Sequence, residues 1–386
     1  MHNKSLFGLL LLLLLSVGAV TGAQVGGEST VPTLSVVETV TETVTTSTPS
    51  TTTGAPVRRV LWGAGTAPAP KHHGTYSREE EARFLEARIG RKLDVTRHYL
   101  QGPSVSWTGN ADMAATVASG RIPAFSFRAG SWTWAQIANG AADTALRARF
   151  KELLNASNPL WRQAIIGFEN EPENETGRKG SPADYRAAVD HMVGLARRMG
   201  LPNRWTTWLM VSTWRGGRDA AYAESWVPQS VYYLGVQGYG TPAHARTRKQ
   251  CTTLVKSWRE FFPYFTPPHN SAVKLGKRMI IGEIGQRENF LTPQPDRKAD
   301  WIRSIPVGLE KLPRVDAVLW WDSGGGEGPF GPTTCDYEHS FRIDSTAKSL
   351  QGYADAGLAA IFRGPVSSPS DEPLPPQRPH AARELP

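Results

Sequence analysis

The sequence predicts an α/β fold, a single-domain (β/α)8 TIM barrel. Three observations carry this. Eight short apolar runs read as strands buried on both faces: 58–62, 93–99, 122–127, 164–168, 205–211, 231–237, 278–283 and 315–321. Helix-like stretches fall between successive runs, the alternation a barrel requires. No Gly-rich phosphate loop follows the first run, which disfavours an open doubly wound sheet.

Taken in order, the elements carry their own boundary signals. Ser77 with Glu80 makes a capping box ahead of a helix over 78–89, which Gly90 stops. Strand two follows, with Arg97 near its end. Asn110 opens a short helix that Gly120 closes, and strand three comes next. Strand four runs into Glu169-Asn170-Glu171-Pro172. Ser181 and Pro182 then start a helix that Gly200 ends, with Tyr185, Val189, Met192, Val193 and Ala196 at helical spacing. Strand six leads to Gln237 and Tyr239, strand seven ends on Glu283, and strand eight ends on Trp320 and Trp321. A closing helix is expected over 345–362.

The ends differ in composition. Residues 1–23 read as a secretory signal, with Lys4, a leucine-rich core from Leu6 to Val20, and small residues at Ala19 and Ala23. That core is short of the ~20 apolar residues of a membrane span. Residues 24–56 are a Thr/Ser-rich segment, and 364–386 a Pro-rich tail. Both are expected to be disordered, since neither can bury enough apolar surface to offset chain entropy. The folded domain is then 57–363, secreted or held at the cell surface and expected as a monomer. Cys251 and Cys335, the only cysteines, suggest one disulfide in an exported protein, with two free buried thiols as the alternative.

Glu171 and Glu283 are the chemistry-bearing residues. A lone carboxylate at the end of a buried strand cannot stay in the core, because desolvating it is too costly. It opens more plausibly into the mouth of the barrel, where residues past each strand's C-terminal end converge. Two carboxylates facing one cleft are the minimal equipment for glycoside hydrolysis, one protonated and one ionised.

The ordered motifs EARIGRKLDVTRHY, FENEPEN, SPADYRAAVDHM, GVQGY, GEIG and LWWD span about residues 59–322. Together they resemble the clan of retaining glycosidases with the acid/base on strand four and the nucleophile on strand seven. Within it they are most similar to family 26-type β-glycanases, notably secreted actinobacterial members. The resemblance implies Glu171 as acid/base and Glu283 as nucleophile, with Tyr239 touching the nucleophile and Asn170 bonding the sugar 2-hydroxyl. Two departures stand out. Asn170 replaces the His usual in family 26, and Gln237-Gly238-Tyr239 replaces Asp-x-Tyr, which puts mannan specificity in doubt.

Other residues are candidates for the substrate face. Trp320 and Trp321 could stack on a sugar, although successive strand residues face opposite ways and one of them should be core. Trp107, Trp132, Trp134 and Trp214 lie on loops after strands two, three and five and read as platforms. His72 and His73 follow strand one and read as a solvated loop. Glu169 is expected to point the same way as Glu171 and to pair with an arginine such as Arg97.

The formal charge is +8. Arg128, Arg178, Lys179, Arg215, Arg218, Arg246, Arg248 and Lys249 lie in loops of the catalytic face, which raises an anionic glycan as an alternative substrate. No nucleic-acid motif, metal-ligand cluster or nucleotide loop is present, so no cofactor and no nucleic-acid partner is expected. The sequence and the resemblance thus point to a secreted retaining glycoside hydrolase that needs no cofactor and cleaves a polysaccharide internally by double displacement. A catalytically silent carbohydrate-binding barrel at the envelope is the competing class.

Overall fold

Eight parallel strands close into a barrel in a computed structural model that describes residues 58–66, 77–215, 220–239, 261–286, 297–322 and 341–363. They are β1 (Leu61–Thr66), β2 (Val95–Leu100), β3 (Ile122–Phe127), β4 (Ile165–Phe168), β5 in two pieces (Trp205–Thr206 and Leu209–Met210), β6 (Tyr233–Tyr239), β7 (Arg278–Gly285) and β8 (Val315–Asp322). Each pairs with its sequence neighbour, and β8 pairs with β1 through six residue pairs to close the ring. The fold is the (β/α)8 barrel the sequence predicts.

The fifth strand differs from its expected single run. Thr207 and Trp208 interrupt it, and the Thr207 hydroxyl takes over the ladder there. It donates to Gly235 O and accepts from Gly235 N, both at 3.1 Å. Gly235 has to be glycine, since a Cβ would lie 1.9 Å from Thr207 O.

Side chains alternate between two cores. Val95, Ile122, Ala124, Ile165, Trp208, Tyr233, Ile280, Ala317 and Leu319 fill the barrel. Their outward neighbours, among them Phe125, Phe127, Ile166, Val236 and Val318, pack under the helices. Because both strand faces are buried, the strands read as continuous apolar runs. Trp208 takes the barrel's central volume. A Cβ on Gly167 of β4 or Gly282 of β7 would lie 1.9 and 2.0 Å from its ring.

The helices begin where their caps are. Ser77 Oγ accepts from Glu80 N (3.2 Å), and the Glu80 carboxylate accepts from Ser77 N (2.6 Å), opening Arg78–Ile89. Ser181 and Asp184 repeat the device at Pro182–Arg198. The closing helix is shorter than expected, Ala347–Gly357, followed by a 3-10 turn at Ala360–Phe362. Among the described residues no helix is long and apolar enough to cross a membrane. Residues 1–23, 24–56 and 364–386, both cysteines, His72, His73, Arg218, Arg246, Arg248 and Lys249 lie outside the described residues.

Candidate active site

The inward faces of β2, β4, β6, β7 and β8 meet at the C-terminal mouth. On β2 the inward set is Val95, Arg97 and Tyr99. Arg97 is fully buried, and its guanidinium is met there by aromatic and polar partners. Its guanidinium lies 3.9 Å from the Trp208 ring centroid. Nη2 donates to Ser126 Oγ (3.2 Å) and Asn170 Oδ1 (3.0 Å), Nη1 donates to His98 O (3.4 Å), and Nε is 3.9 Å from Glu283 Oε1.

Glu283 reaches this cluster through a bulge. Strict alternation along β7 would put it on the outer face with Met279 and Ile281. The register instead slips, from Val236 opposite Ile281 to Gln237 opposite Glu283, leaving Gly282 as the extra residue. Gly282 faces Trp208 and Glu283 turns inward beside it. Its Oε1 accepts from Tyr99 OH and from Gln237 Nε2 (2.7 Å), and its Oε2 accepts from Tyr239 OH. Gln237 Nε2 also donates to Asn170 Oδ1. With Arg97 and Gln237 both directed at Oδ1, the Asn170 amide N–H groups are left for another acceptor.

Glu171 arrives by a sharp turn. Both Glu169 and Glu171 have left-handed backbone, φ 55° and 56°, the only non-glycine residues so placed among those described. Glu171 N donates to Trp208 O (2.9 Å), and its Oε2 accepts from Asn174 Nδ2 (2.8 Å).

The two carboxyls live in different surroundings. Burial and then the charge of Glu283 push Glu171 up from 4.5 to about 7, against weaker opposing pulls from Asn174 and Arg97. Burial also pushes Glu283 up, but Arg97, Tyr239 and Tyr99 all oppose it. Glu283 therefore has three donors and a cation for its ionised form, and Glu171 has one donor. Environments of this kind separate an acid from an ionised partner.

Sequence-predicted residues divide clearly. The structure brings Glu283, Asn170, Gln237, Tyr239 and Arg97 into one hydrogen-bonded group, with Glu171 beside it and within reach of the charges of Glu283 and Arg97. Trp321 faces inward and is half-buried, its ring edge-on to Tyr99 with centroids 5.4 Å apart. Trp320 does not join them. It points outward, buried beside Trp301 and Tyr353, with its indole N–H on Phe341 O (2.6 Å). Trp214 is also no platform, being buried with its indole N–H on Ser271 Oγ (3.0 Å). Trp107 packs among Phe125, Phe127 and Phe150, and Trp134 against Tyr185 and Trp226. Loops over a barrel rim fold back into the core, so a loop position did not make these rings exposed. Trp132 remains partly exposed. Glu169 does not pair with Arg97; its carboxylate accepts from Ala129 N (2.9 Å).

Tyr99, Trp208 and Ser126 also line the site and are not among the residues the sequence singles out; Asn174, two residues after Pro172, bonds Glu171. Tyr99 shares the parity of Arg97 and was within reach of the alternation. Trp208 also keeps the alternation, facing opposite to Trp205, Leu209 and Val211, but the alternation along β5 does not say which face is inward. Among the described residues no group of three or more His, Cys, Asp or Glu is placed to hold a metal.

No family model matches the chain, and no curated protein matches it. Solved structures do. An exo-β-1,4-mannosidase from Opitutaceae bacterium strain TAV5 aligns at 14% identity over 80% of this chain and 62% of its own, with a TM-score of 0.51. An endo-β-1,4-glucanase from Xanthomonas axonopodis pv. citri aligns at 13% identity over 77% and 99%, TM-score 0.48. The catalytic domain of a family 26 endo-β-1,4-mannanase from Bacillus sp. JAMB-750 aligns at 14% identity over 79% and 87%, TM-score 0.46. At this identity the mannosidase shares the barrel fold with this chain, and the fold alone does not carry a function.

Proposed function

We propose that this chain is a retaining glycoside hydrolase that cleaves a polysaccharide, exported and acting as a monomer without a cofactor. One observation supports this above the others: two glutamates at one barrel mouth, Glu171 with a single side-chain donor and Glu283 with three donors and the Arg97 guanidinium 3.9 Å away. In this reading Glu283 attacks the anomeric carbon and forms a glycosyl ester while Glu171 protonates the departing oxygen. Glu171 then takes a proton from the water that hydrolyses the ester. Oε1 of Glu283 already accepts two hydrogen bonds, whereas Oε2 accepts one and keeps a lone pair for attack. Trp321 offers a ring face and Asn170 an N–H donor to the sugar.

The exo-β-1,4-mannosidase that shares this barrel favours a β-linked glycan as the substrate class. An anionic glycan is the second reading, favoured by Arg128. It is exposed at the end of β3, whereas nearby Arg178 pairs with Glu175 and Lys179 donates to Gly130 O and Trp132 O.

The test is a panel of neutral and acidic polysaccharides read by product mass spectrometry. Glu283→Gln should abolish turnover, because an amide cannot form the ester. Glu171→Ala should spare activated aryl glycosides and yield, with azide, a glycosyl azide of retained configuration. Inverted product, or no turnover on any glycan, would sink the proposal; the latter would leave a binding barrel.

A further inference from the structure

Glu169 is buried, titratable and unused by the reaction above. It is also one of the two left-handed residues at the site. Its surroundings follow from the ladder between β3 and β4. Phe127 stands opposite Phe168, so Arg128 comes opposite Glu169. In a parallel ladder such a residue makes two bonds. Its N–H goes to the carbonyl before its opposite, here Phe127, and its own carbonyl receives the N–H after its opposite, here Ala129. The first bond is present: Glu169 N donates to Phe127 O at 2.9 Å. The second is not made to the backbone. Ala129 N donates at 2.9 Å to Glu169 Oε1.

The reason is the backbone turn. A φ of 55° swings the Glu169 carbonyl out of the ladder. Ala129 is fully buried, so its N–H would be left without a partner in the interior, a costly state. We infer that Glu169 is a positioning residue, whose carboxylate replaces the backbone carbonyl at the end of the β3–β4 ladder and thereby holds the turn that delivers Asn170 and Glu171 to the barrel mouth. Glu171 is anchored on the other side by its own N–H to Trp208 O. The segment 169–171 is thus strung between β3 and β5, with one anchor on each left-handed residue. An acceptor at position 169 is what the arrangement requires, and the acid/base role of Glu171 is what it serves. The inference rests on that role for its meaning, but the bond itself can be tested without turnover.

The test uses Glu169→Gln, which keeps an acceptor oxygen, and Glu169→Gly, which removes it while relaxing the left-handed backbone. Both are compared with wild type by amide hydrogen exchange at Ala129 and by carbon-13 NMR titration of the Glu171 carboxyl. Glu169→Gly should lose at least about tenfold protection at Ala129, with other β3 amides unchanged. Its Glu171 should titrate nearer the ordinary glutamate value, since a released turn exposes it to water. Glu169→Gln should keep both properties. On a cleaved glycan, Glu169→Gly should lower kcat more than it raises KM and move the alkaline limb of the pH profile to lower pH. Unchanged Ala129 protection in Glu169→Gly would overturn the inference, as would Glu169→Gln losing as much as Glu169→Gly. If wild type cleaves nothing, the proposed function fails while the exchange and titration results still decide this one.

Discussion

Replacing Glu283 with glutamine removes the charge facing Glu171 and nearly preserves the shape. At the ~5.5 Å separation of a retaining pair, an effective dielectric constant of about 20 gives about 3 kcal/mol between two unit charges. That is roughly 2 pH units at about 1.4 kcal/mol each. Burial is the larger cause of the Glu171 elevation and survives the substitution. Arg97 loses its counter-charge in the variant and then pulls Glu171 down further. The Glu171 carboxyl, at about 7 in the native protein, should therefore fall by on the order of one to two pH units and stay above the ordinary glutamate range. Carbon-13 NMR titration of labelled glutamate, assigned with Glu171→Gln, reads this directly. A change below about 0.3 unit, or about 0.4 kcal/mol, would mean that the two carboxyls do not share a cleft, because that is the coupling of two charges about 10 Å apart in bulk water. In the proposed mechanism a general acid poised at about 7 loses its proton as pH rises through that value, so kcat should decline on the alkaline side.

Three other outcomes follow from the packing. Gly167→Ala places a Cβ 1.9 Å from Trp208 Nε1, and should cost ~1–3 kcal/mol in chemical denaturation and lower activity by disturbing Arg97, which rests on that ring. Trp320→Ala should lower the melting temperature, at ~3–5 kcal/mol for a buried aromatic, whereas Trp321→Ala should mainly raise KM; equal effects of the two would contradict their opposite facing. Asp322 is buried and raised from 3.8 to about 7, chiefly by burial. The folded state therefore holds this proton longer than the unfolded chain, and stability falls as pH climbs from about 4 to about 7. Asp322→Asn keeps an oxygen for the Ile343 N–H (2.6 Å) and should flatten that slope, with the gain in denaturant midpoint seen above pH 7; a slope as steep as wild type would reject the assignment.

The sequence by itself determined the barrel, because alternation of buried strands and capped helices is written in local patterns. Ser77 with Glu80, Asn110, and Ser181 with Pro182 each start the helix they announce. Glu171 and Glu283 were legible as well, since a carboxylate closing an apolar run is anomalous on burial grounds. Arg97 and Tyr99 share one strand parity, and the opposition of Trp320 and Trp321 followed from the same rule, although the rule could not say which of the two faced in. Tertiary structure alone decided what departs from period two. The slip at Gly282 turns Glu283 inward against its parity, and the left-handed turns at Glu169 and Glu171 re-aim strand four. Trp208 fills a space that exists only when Gly167, Gly235 and Gly282 come together from three strands. Bulges, turns of this kind and shared volumes depend on what the neighbouring strands supply, and a pattern read along one strand carries no information about its neighbours.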